Sequence, residues 1–155
     1  MKLMACALAA VAAALLFPAS ARADNATDSV KIEALLKQTG LTYERKAEEV
    51  FVLPHEGKNL GDFQVVLANG DGIEVMFVII AKKARISMTP ELAQKMLFAN
   101  HNYDRVKVGL DDDGDAFVRD DATIRVLDAS ELKVNINQVA AAADEIYGEL
   151  KPYLK

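Results

Sequence analysis

The sequence is poor in the residues that staple small domains or stack on bases. It has one cysteine, no tryptophan, four tyrosines and six phenylalanines among 155 residues. A single cysteine excludes an internal disulfide framework. The 23 acidic residues outnumber the 18 basic ones, so the chain lacks the positive field that binds phosphate backbones, and it has few rings for base stacking. We therefore expect no nucleic-acid partner.

Motifs for catalysis and for cofactors are also missing. The only histidines, His55 and His101, have no second histidine or cysteine at metal-ligand spacing. The sequence contains no Gly-x-Ser-x-Gly nucleophile turn and no glycine-rich phosphate loop. Stability and function must then rest on packing and on surfaces. The sequence predicts a protein that is not an enzyme and that carries no cofactor.

The first 23 residues have the organisation of a secretory signal peptide. A basic start at Lys2 precedes an apolar run over residues 3–17, and an Ala-x-Ala pattern ends at Ala23. The run is shorter than the roughly 20 residues that a membrane-spanning helix needs. We expect cleavage after Ala23, with Ala21 as a second acceptable frame. The protein is then periplasmic or secreted, without cysteine and without a stable membrane anchor.

Residues 24–155 have the length and patterning of one α+β domain. Asn69-Gly70-Asp71-Gly72 is typical of a hairpin turn, and Thr89-Pro90-Glu91 is typical of a helix start. Asp128 with Glu131 matches a capping box, in which Glu131 reaches back to the cap. The order is α-β-β-β-β-α-β-β-α, an antiparallel sheet of five to six strands flanked by helices. Helices are predicted over 26–38, 90–100 and 129–150, and strands near 42–46, 49–54, 63–68, 73–81, 106–110 and 116–126.

The predicted third helix has a regular apolar stripe that suggests a binding surface. Its apolar residues recur at alternating spacings of four and three, and the helix is longer than one small sheet requires. One interpretation is that part of the stripe stays exposed and, with the end of the second helix, binds a protein partner or a second copy. The other is that all of it packs on its own sheet. The candidate partner-binding residues are Met96, Phe98, Val139, Ala143, Ile146 and Leu150.

An acidic cluster follows the fifth predicted strand. Residues 111–115 read Asp-Asp-Asp-Gly-Asp, and oxygen ligands beside a glycine are what calcium prefers. With Gly114 at the sixth position of a calcium loop, Gly109 occupies the first position and Asp120 the twelfth. An EF-hand needs an oxygen ligand at the first position and a glutamate at the twelfth, so this segment is not an EF-hand. A hairpin turn is the favoured interpretation, so no metal is predicted. The weak cation candidates are Asp111, Asp113, Asp115 and Asp120.

The segment 96–103, Met-Leu-Phe-Ala-Asn-His-Asn-Tyr, leads into the strand and acidic turn of residues 106–115. This pattern, with the element order, resembles YbjN-domain proteins over most of residues 27–150. The resemblance implies the fold of type III secretion chaperones, which often pair and bind other polypeptides, and it implies no catalytic residues. We therefore expect an exported protein-binding, chaperone-like or regulatory module of the bacterial envelope. The alternative is a periplasmic protein that binds calcium or a small ligand at the acidic turn.

Overall fold

The computed structural model describes residues 19–155, and side chains from residue 26 onward. Its helices are α1 (Ala19–Thr39), α2 (Pro90–Asn102) and α3 (Ala129–Leu150). Its strands are β1 (Glu44–Ala47), β2 (Val50–Gly57), β3 (Gly61–Gly70), β4 (Ile73–Ala81), β5 (Lys107–Leu110) and β6 (Ala116–Thr123). The predicted α+β class and element order are confirmed.

The predicted signal peptide, residues 1–23, lies largely outside the described residues, which start at Ala19. Helix α1 also begins at Ala19, earlier than the predicted residue 26. Within residues 19–155, no helix is both long enough and apolar enough to cross a membrane.

The six strands form one antiparallel sheet in the order β1-β2-β3-β4-β6-β5. Strand β4 therefore lies inside the sheet, as its continuous apolar sequence predicts. The β3–β4 hairpin closes through Asp71 and Gly72, whose φ angles are +53° and +75°. Two successive positive φ angles define the tight turn that matches strand twist, which confirms the predicted hairpin.

All three helices cover the same face of the sheet. Helix α3 packs on β4 and β6, and both α1 and α2 pack against α3. Along β4 the side chains that face the helices are buried and those between them are only partly buried. The alternating buried residues are Glu74, Met76, Val78 and Ile80, and Ala81 at the end of the strand is buried too. The fold is thus a two-layer α+β unit with its core between the helices and the sheet.

The candidate binding residues on α3 are buried, although one interpretation of the sequence expected them to be exposed. Val139, Ala143 and Ile146 are completely buried, and Leu150 is nearly so. The physical reason is that α3 crosses the sheet and contacts β2, β3, β4 and β6, and it also supports α1 and α2. A helix of 22 residues, about 33 Å long, is needed to cover that width. The four candidate residues on α3 therefore pack within their own domain, as the other interpretation expected.

The helix starts form as predicted, with one difference. The Thr89 hydroxyl accepts a hydrogen bond from the Leu92 backbone at 3.2 Å, and the Asp128 carboxylate accepts one from the Glu131 backbone at 2.8 Å. These side chains satisfy N–H groups that a helix start leaves unpaired. Glu131 does not reach back to the cap, because its carboxylate forms an ion pair with Arg105.

Candidate functional site

Helix α2 has apolar side chains on both its faces. Leu92, Met96 and Ala99 are buried against the domain. Leu97 and Phe98 point away from the core, with 71% and 53% of their surface exposed. Of the two candidates on this helix, Met96 therefore belongs to the core and Phe98 to the surface. Leu97 was not among the candidate residues, and it is exposed because three consecutive apolar residues cannot all face one side of a helix.

A third exposed apolar side chain lies at the same end of the sheet. Helix α2 packs on β5, the outermost strand, and Leu110 ends that strand with 42% of its surface exposed. Leu110 and helix α2 therefore both belong to the β5 end of the sheet. We call Leu97, Phe98 and Leu110 the edge patch. Exposed apolar side chains at one end of a domain are typical of interaction surfaces.

The outer edge of β5 is occupied by a side chain of α2. The Asn100 amide donates to the Val108 carbonyl at 3.0 Å and accepts from the Val108 backbone N–H at 2.9 Å. The same amide also donates to the Met96 carbonyl at 3.0 Å. Asn100 therefore fills the hydrogen-bonding positions that an added strand would use at Val108. Asn100, one of the two asparagines in the 96–103 segment, therefore has a structural role, which is to hold α2 against the edge of β5.

The acidic turn is held by bonds within the protein. The Asp111 carboxylate accepts from the Asp115 backbone at 2.8 Å. The Asp115 carboxylate accepts from the Lys83 backbone at 2.8 Å and pairs with the Lys82 ammonium at 2.6 Å. These two partners, Lys82 first, hold the pKa of Asp115 below its usual value. One carboxylate oxygen of Asp111 and both oxygens of Asp115 are therefore already in use.

The remaining cation candidates do not complete a site. Asp113 is exposed on the turn, whereas Asp120 lies further along β6 on the helix-covered face. Among the described residues, no three histidine, cysteine, aspartate or glutamate side chains are grouped so that they could hold a metal ion. The structure therefore gives no support to a calcium site at residues 111–115, and it supports the hairpin-turn interpretation.

One acidic residue with a strongly structural environment escaped sequence analysis. The Asp144 carboxylate on α3 accepts from the backbone N–H groups of Lys58, Asn59 and Leu60 at 2.7 to 3.1 Å. These bonds, with Leu60 the strongest, lower the pKa of Asp144. A side chain at Gly57 would lie 2.2 Å from Asp144, so the close approach requires glycine. The β2–β3 turn is thus anchored to α3, and no sequence motif predicts this contact.

The two histidines take part in no arrangement for acid–base or nucleophilic chemistry. The His55 ring stacks on Phe63 at 5.7 Å and lies 3.2 Å from the Leu53 carbonyl. His101 is exposed at the end of α2. Ser29 is buried, and its hydroxyl donates a hydrogen bond to the Asn69 side chain at 3.0 Å.

Comparison with solved structures finds the same fold in other proteins. A chain from the heterodimeric ExoU–SpcU complex of the Pseudomonas aeruginosa type III secretion system is 20% identical, with a TM-score of 0.55. The match covers 80% of this chain and 98% of that one. Escherichia coli YbjN is 14% identical with a TM-score of 0.58, covering 81% of this chain and 94% of the other.

A third similar structure is the Yersinia pestis type III secretion chaperone SycH in complex with a stable fragment of YscM2. It is 14% identical, has a TM-score of 0.51, and covers 77% of this chain and 98% of the other. No curated protein sequence matches this chain. The family model described as "Putative bacterial sensory transduction regulator" matches residues 28–152. This chain, with its one-sided α+β architecture, belongs to the YbjN family.

Proposed function

We propose that this protein is an exported, non-enzymatic module of the bacterial envelope that binds another polypeptide through the edge patch. The observation that carries the proposal is the exposure of Leu97, Phe98 and Leu110 at one end of the sheet. When a partner covers exposed leucine and phenylalanine side chains, the free energy falls by roughly 25 cal/mol per Å² of apolar surface that is removed from water. The edge patch replaces the buried residues of α3 as the candidate binding surface.

The fold supports a protein partner in preference to a small substrate. Two of the similar structures are complexes in which a type III secretion protein is bound to a second protein. The same architecture here presents apolar side chains on a rigid helix, which suits a partner helix or loop that carries its own apolar anchors. A second copy of this chain is the alternative occupant, because a two-fold axis through the patch would pair Phe98 with itself.

The mode of binding follows from Asn100. Its amide occupies the backbone groups of Val108, so a partner does not extend the sheet at that point. Binding instead uses side chains, with Phe98 and Leu97 entering an apolar pocket of the partner. Loss of these two side chains therefore removes binding without disturbing the sheet.

Site-specific photocrosslinking tests the surface. We expect a photoreactive phenylalanine analogue at position 98 to give a discrete crosslinked product in cells, identified by mass spectrometry as one protein or as the dimer. The matched control places the analogue at Val30, which is equally apolar and exposed but lies on α1. The double variant Leu97→Ser, Phe98→Ser should lose the interaction while its melting temperature stays within a few degrees. Equal crosslinking at positions 30 and 98 would refute the edge patch.

Cell fractionation tests the proposed export. We expect the full chain to reach the periplasm or the medium and the recovered protein to begin at Asp24 or, in the second frame, at Arg22. A variant in which Leu15 and Leu16 are replaced by Asp should remain inside the cell. Recovery of the wild-type protein in the cytoplasm, with residues 1–23 intact, would contradict the proposed location and leave the test of the edge patch unaffected.

A further inference from the structure

One face of the sheet has no covering layer within residues 19–155. Helices α1, α2 and α3 all lie on the other face, where they enclose the core. Residues of β4 point alternately to the two faces, and Ile73, Val75, Phe77 and Ile79 point away from the helices and are only partly buried. An antiparallel sheet with one face in water usually carries polar residues there, and β4 carries none at these positions. We call this side of the sheet the open face.

The apolar character of the open face continues on the neighbouring strands. Residues that pair directly in an antiparallel sheet point to the same face. Val66 of β3 pairs with Phe77, and Phe117 of β6 pairs with Ile79. Val66 and Phe117 are partly buried, as the residues of β4 on this face are. The centre of the open face is therefore a continuous apolar surface that crosses several strands.

One row of paired residues on the open face crosses the whole sheet. Its order from β1 to β5 is Glu44, Val52, Val66, Phe77, Arg119 and Lys107. Arg45, the neighbour of Glu44, pairs with Glu33 of α1 on the helix side, so Glu44 points to the open face. The row therefore begins with an acid, is apolar at its centre and ends with two bases.

The charges at the two ends of the row remain accessible. Lys107 and Arg119 share a single acid, Asp121, so the β5 end keeps an excess of positive charge. Glu44 pairs with Lys46 at 2.5 Å, yet its side chain is 65% exposed, and that of Lys107 is 57% exposed. Both ends of the row can thus meet charges on another molecule.

We propose that a second copy of this chain covers the open face, related by a two-fold axis parallel to the strands. Rotation about this axis places β1 of one copy over β5 of the other, so Glu44 faces Lys107 and Arg119 of the other copy. An axis across the strands would place Glu44 over Glu44 and Lys107 over Lys107, which repel. The apolar centres then meet as two sheets packed about 10 Å apart, with the helices on the outside.

The size of the open face favours a second copy over a peptide. Six strands about 4.8 Å apart span about 24 Å, and the part of β4 from Ile73 to Ile79 is about as long, which gives a flat area of roughly 600 Å². This area is comparable with the 800 Å² or so that each partner buries in a standard interface. A single bound helix, about 10 Å wide, would leave more than half of the width uncovered.

Analytical ultracentrifugation of the purified protein tests this interface. We expect a dimer with a Kd of about 10 µM or less. Phe77→Thr keeps a β-branched residue in the strand but removes the central ring, so it should weaken the dimer at least tenfold while the circular dichroism stays that of the wild type. Val66→Thr should do the same and serves if Phe77→Thr does not fold. A wild-type protein that stays monomeric at about 100 µM, or folded variants that dimerise as the wild type does, would overturn the proposal.

Charge reversal at the two ends of the row tests the direction of the axis. At low salt, Glu44→Lys and Lys107→Glu should each weaken the dimer at least fivefold, because like charges then face each other. An equimolar mixture of the two variants should associate as the wild type does, because every contact again joins a lysine to a glutamate. The two residues lie at opposite edges of one sheet, so no contact within a copy can produce this recovery. Glu145→Lys, the same change at an exposed position on α3, should leave the dimer unchanged. Unaffected single variants, or a mixture that does not associate, would refute this arrangement.

The double variant Leu97→Ser, Phe98→Ser distinguishes this interface from the edge patch. It should remain dimeric, because neither residue lies on the open face. If it is monomeric while Phe77→Thr stays dimeric, the second copy occupies the edge patch and the proposal is wrong. A photoreactive phenylalanine analogue at position 77 should crosslink to a second copy, and a crosslink to a different protein would overturn the proposal. The dimer and the partner binding proposed above therefore fail independently.

Discussion

The two outer strands of the sheet, β1 and β5, are protected from pairing with other chains in different ways. All four residues of β1 are exposed, three of them are charged, and the pairing with β2 is irregular between Arg45 and Ala47. Short length, charge and a bulge are common protections of an edge strand. Strand β5 has one charged residue, Lys107, and it is protected instead by α2 and by the amide of Asn100.

This difference determines what each end of the molecule presents to its surroundings. Charged side chains at the β1 end keep other proteins away and interact with water. At the β5 end the protecting element is a helix, and the outer side of that helix presents Leu97 and Phe98. A helix can shield the strand edge while it offers apolar side chains to a partner. The comparison shows that the β5 edge can be protected against pairing with another strand and can still present side chains that bind a partner.

The largest expected effect separates the core from the surface at the β5 end. Ile146→Asp introduces a carboxylate at a completely buried position and removes apolar burial, which should cost more than about 4 kcal/mol and unfold the domain. Phe98→Asp changes an exposed residue, so we expect it to fold and to lose partner binding. Circular dichroism and thermal unfolding compare the two variants. A well-folded Ile146→Asp protein would show that α3 is not the core of this domain.

The second effect is a pH dependence of stability that we expect from a buried carboxylate on β4, inside the sheet, and not from exposed ones. Glu74 on β4 is completely buried, its two carboxylate oxygens have no hydrogen-bond partner within the described residues, and burial raises its pKa to about 8. The unfolded chain releases this proton near pH 4.5, so the folded state holds the proton more tightly between pH 4.5 and 8. Stability should therefore fall as pH rises through this interval, by up to about 1.4 kcal/mol per unit.

Urea unfolding of the wild type and Glu74→Gln between pH 5 and 9 measures this contribution. The amide cannot ionise, so the variant should lack this part of the slope and should be the more stable protein above pH 8. Glu56→Gln, an exposed residue on β2, is the control and should retain the wild-type slope. Identical slopes for the wild type and Glu74→Gln would mean that Glu74 does not titrate in this interval.

The third effect tests how much of the protection of β5 depends on one amide. Asn100→Ala removes three hydrogen bonds and leaves the backbone of Val108 unpaired, so we expect a loss of about 2–3 kcal/mol. We also expect stronger self-association, because the edge becomes available for strand pairing. Asn102→Ala, an exposed neighbour at the end of α2, should change neither property. Urea unfolding and analytical ultracentrifugation give the two readouts.

Local sequence signals predicted most of the elements but not their surroundings. The Asp71-Gly72 turn, the Thr89 and Asp128 caps and the apolar sequence of β4 each have a cause within a few residues, and each formed as expected. The stripe on α3 was correct as a pattern, yet its burial depends on how many strands the helix crosses, which no local pattern records. The sequence alone therefore indicated an amphipathic helix, but it did not indicate how much of the apolar side would be covered by the rest of the domain.

The candidate site was predicted only in part for the same reason. Phe98 was identified from its apolar character, whereas Leu97 and Leu110 became visible only when α2 was placed against β5. The role of Asn100 became visible only through the hydrogen bonds that its side chain makes to β5 in the folded chain. The acidic residues 111–115 were the most conspicuous cluster in the sequence, and the structure uses them to close a turn.

The smallest effect is expected at β1 and completes the comparison. Arg45 bonds to the Glu48 carbonyl at 2.6 Å, pairs with Glu33 of α1 at 2.8 Å, and lies over the Phe51 ring. The side chain is exposed to water, so Arg45→Ala should cost less than about 1 kcal/mol in urea unfolding and should not increase self-association. Lys46→Ala should behave alike. A loss above 2 kcal/mol at Arg45 would show that β1, like β5, depends on one residue; a small loss supports protection shared among short length, charge and the bulge.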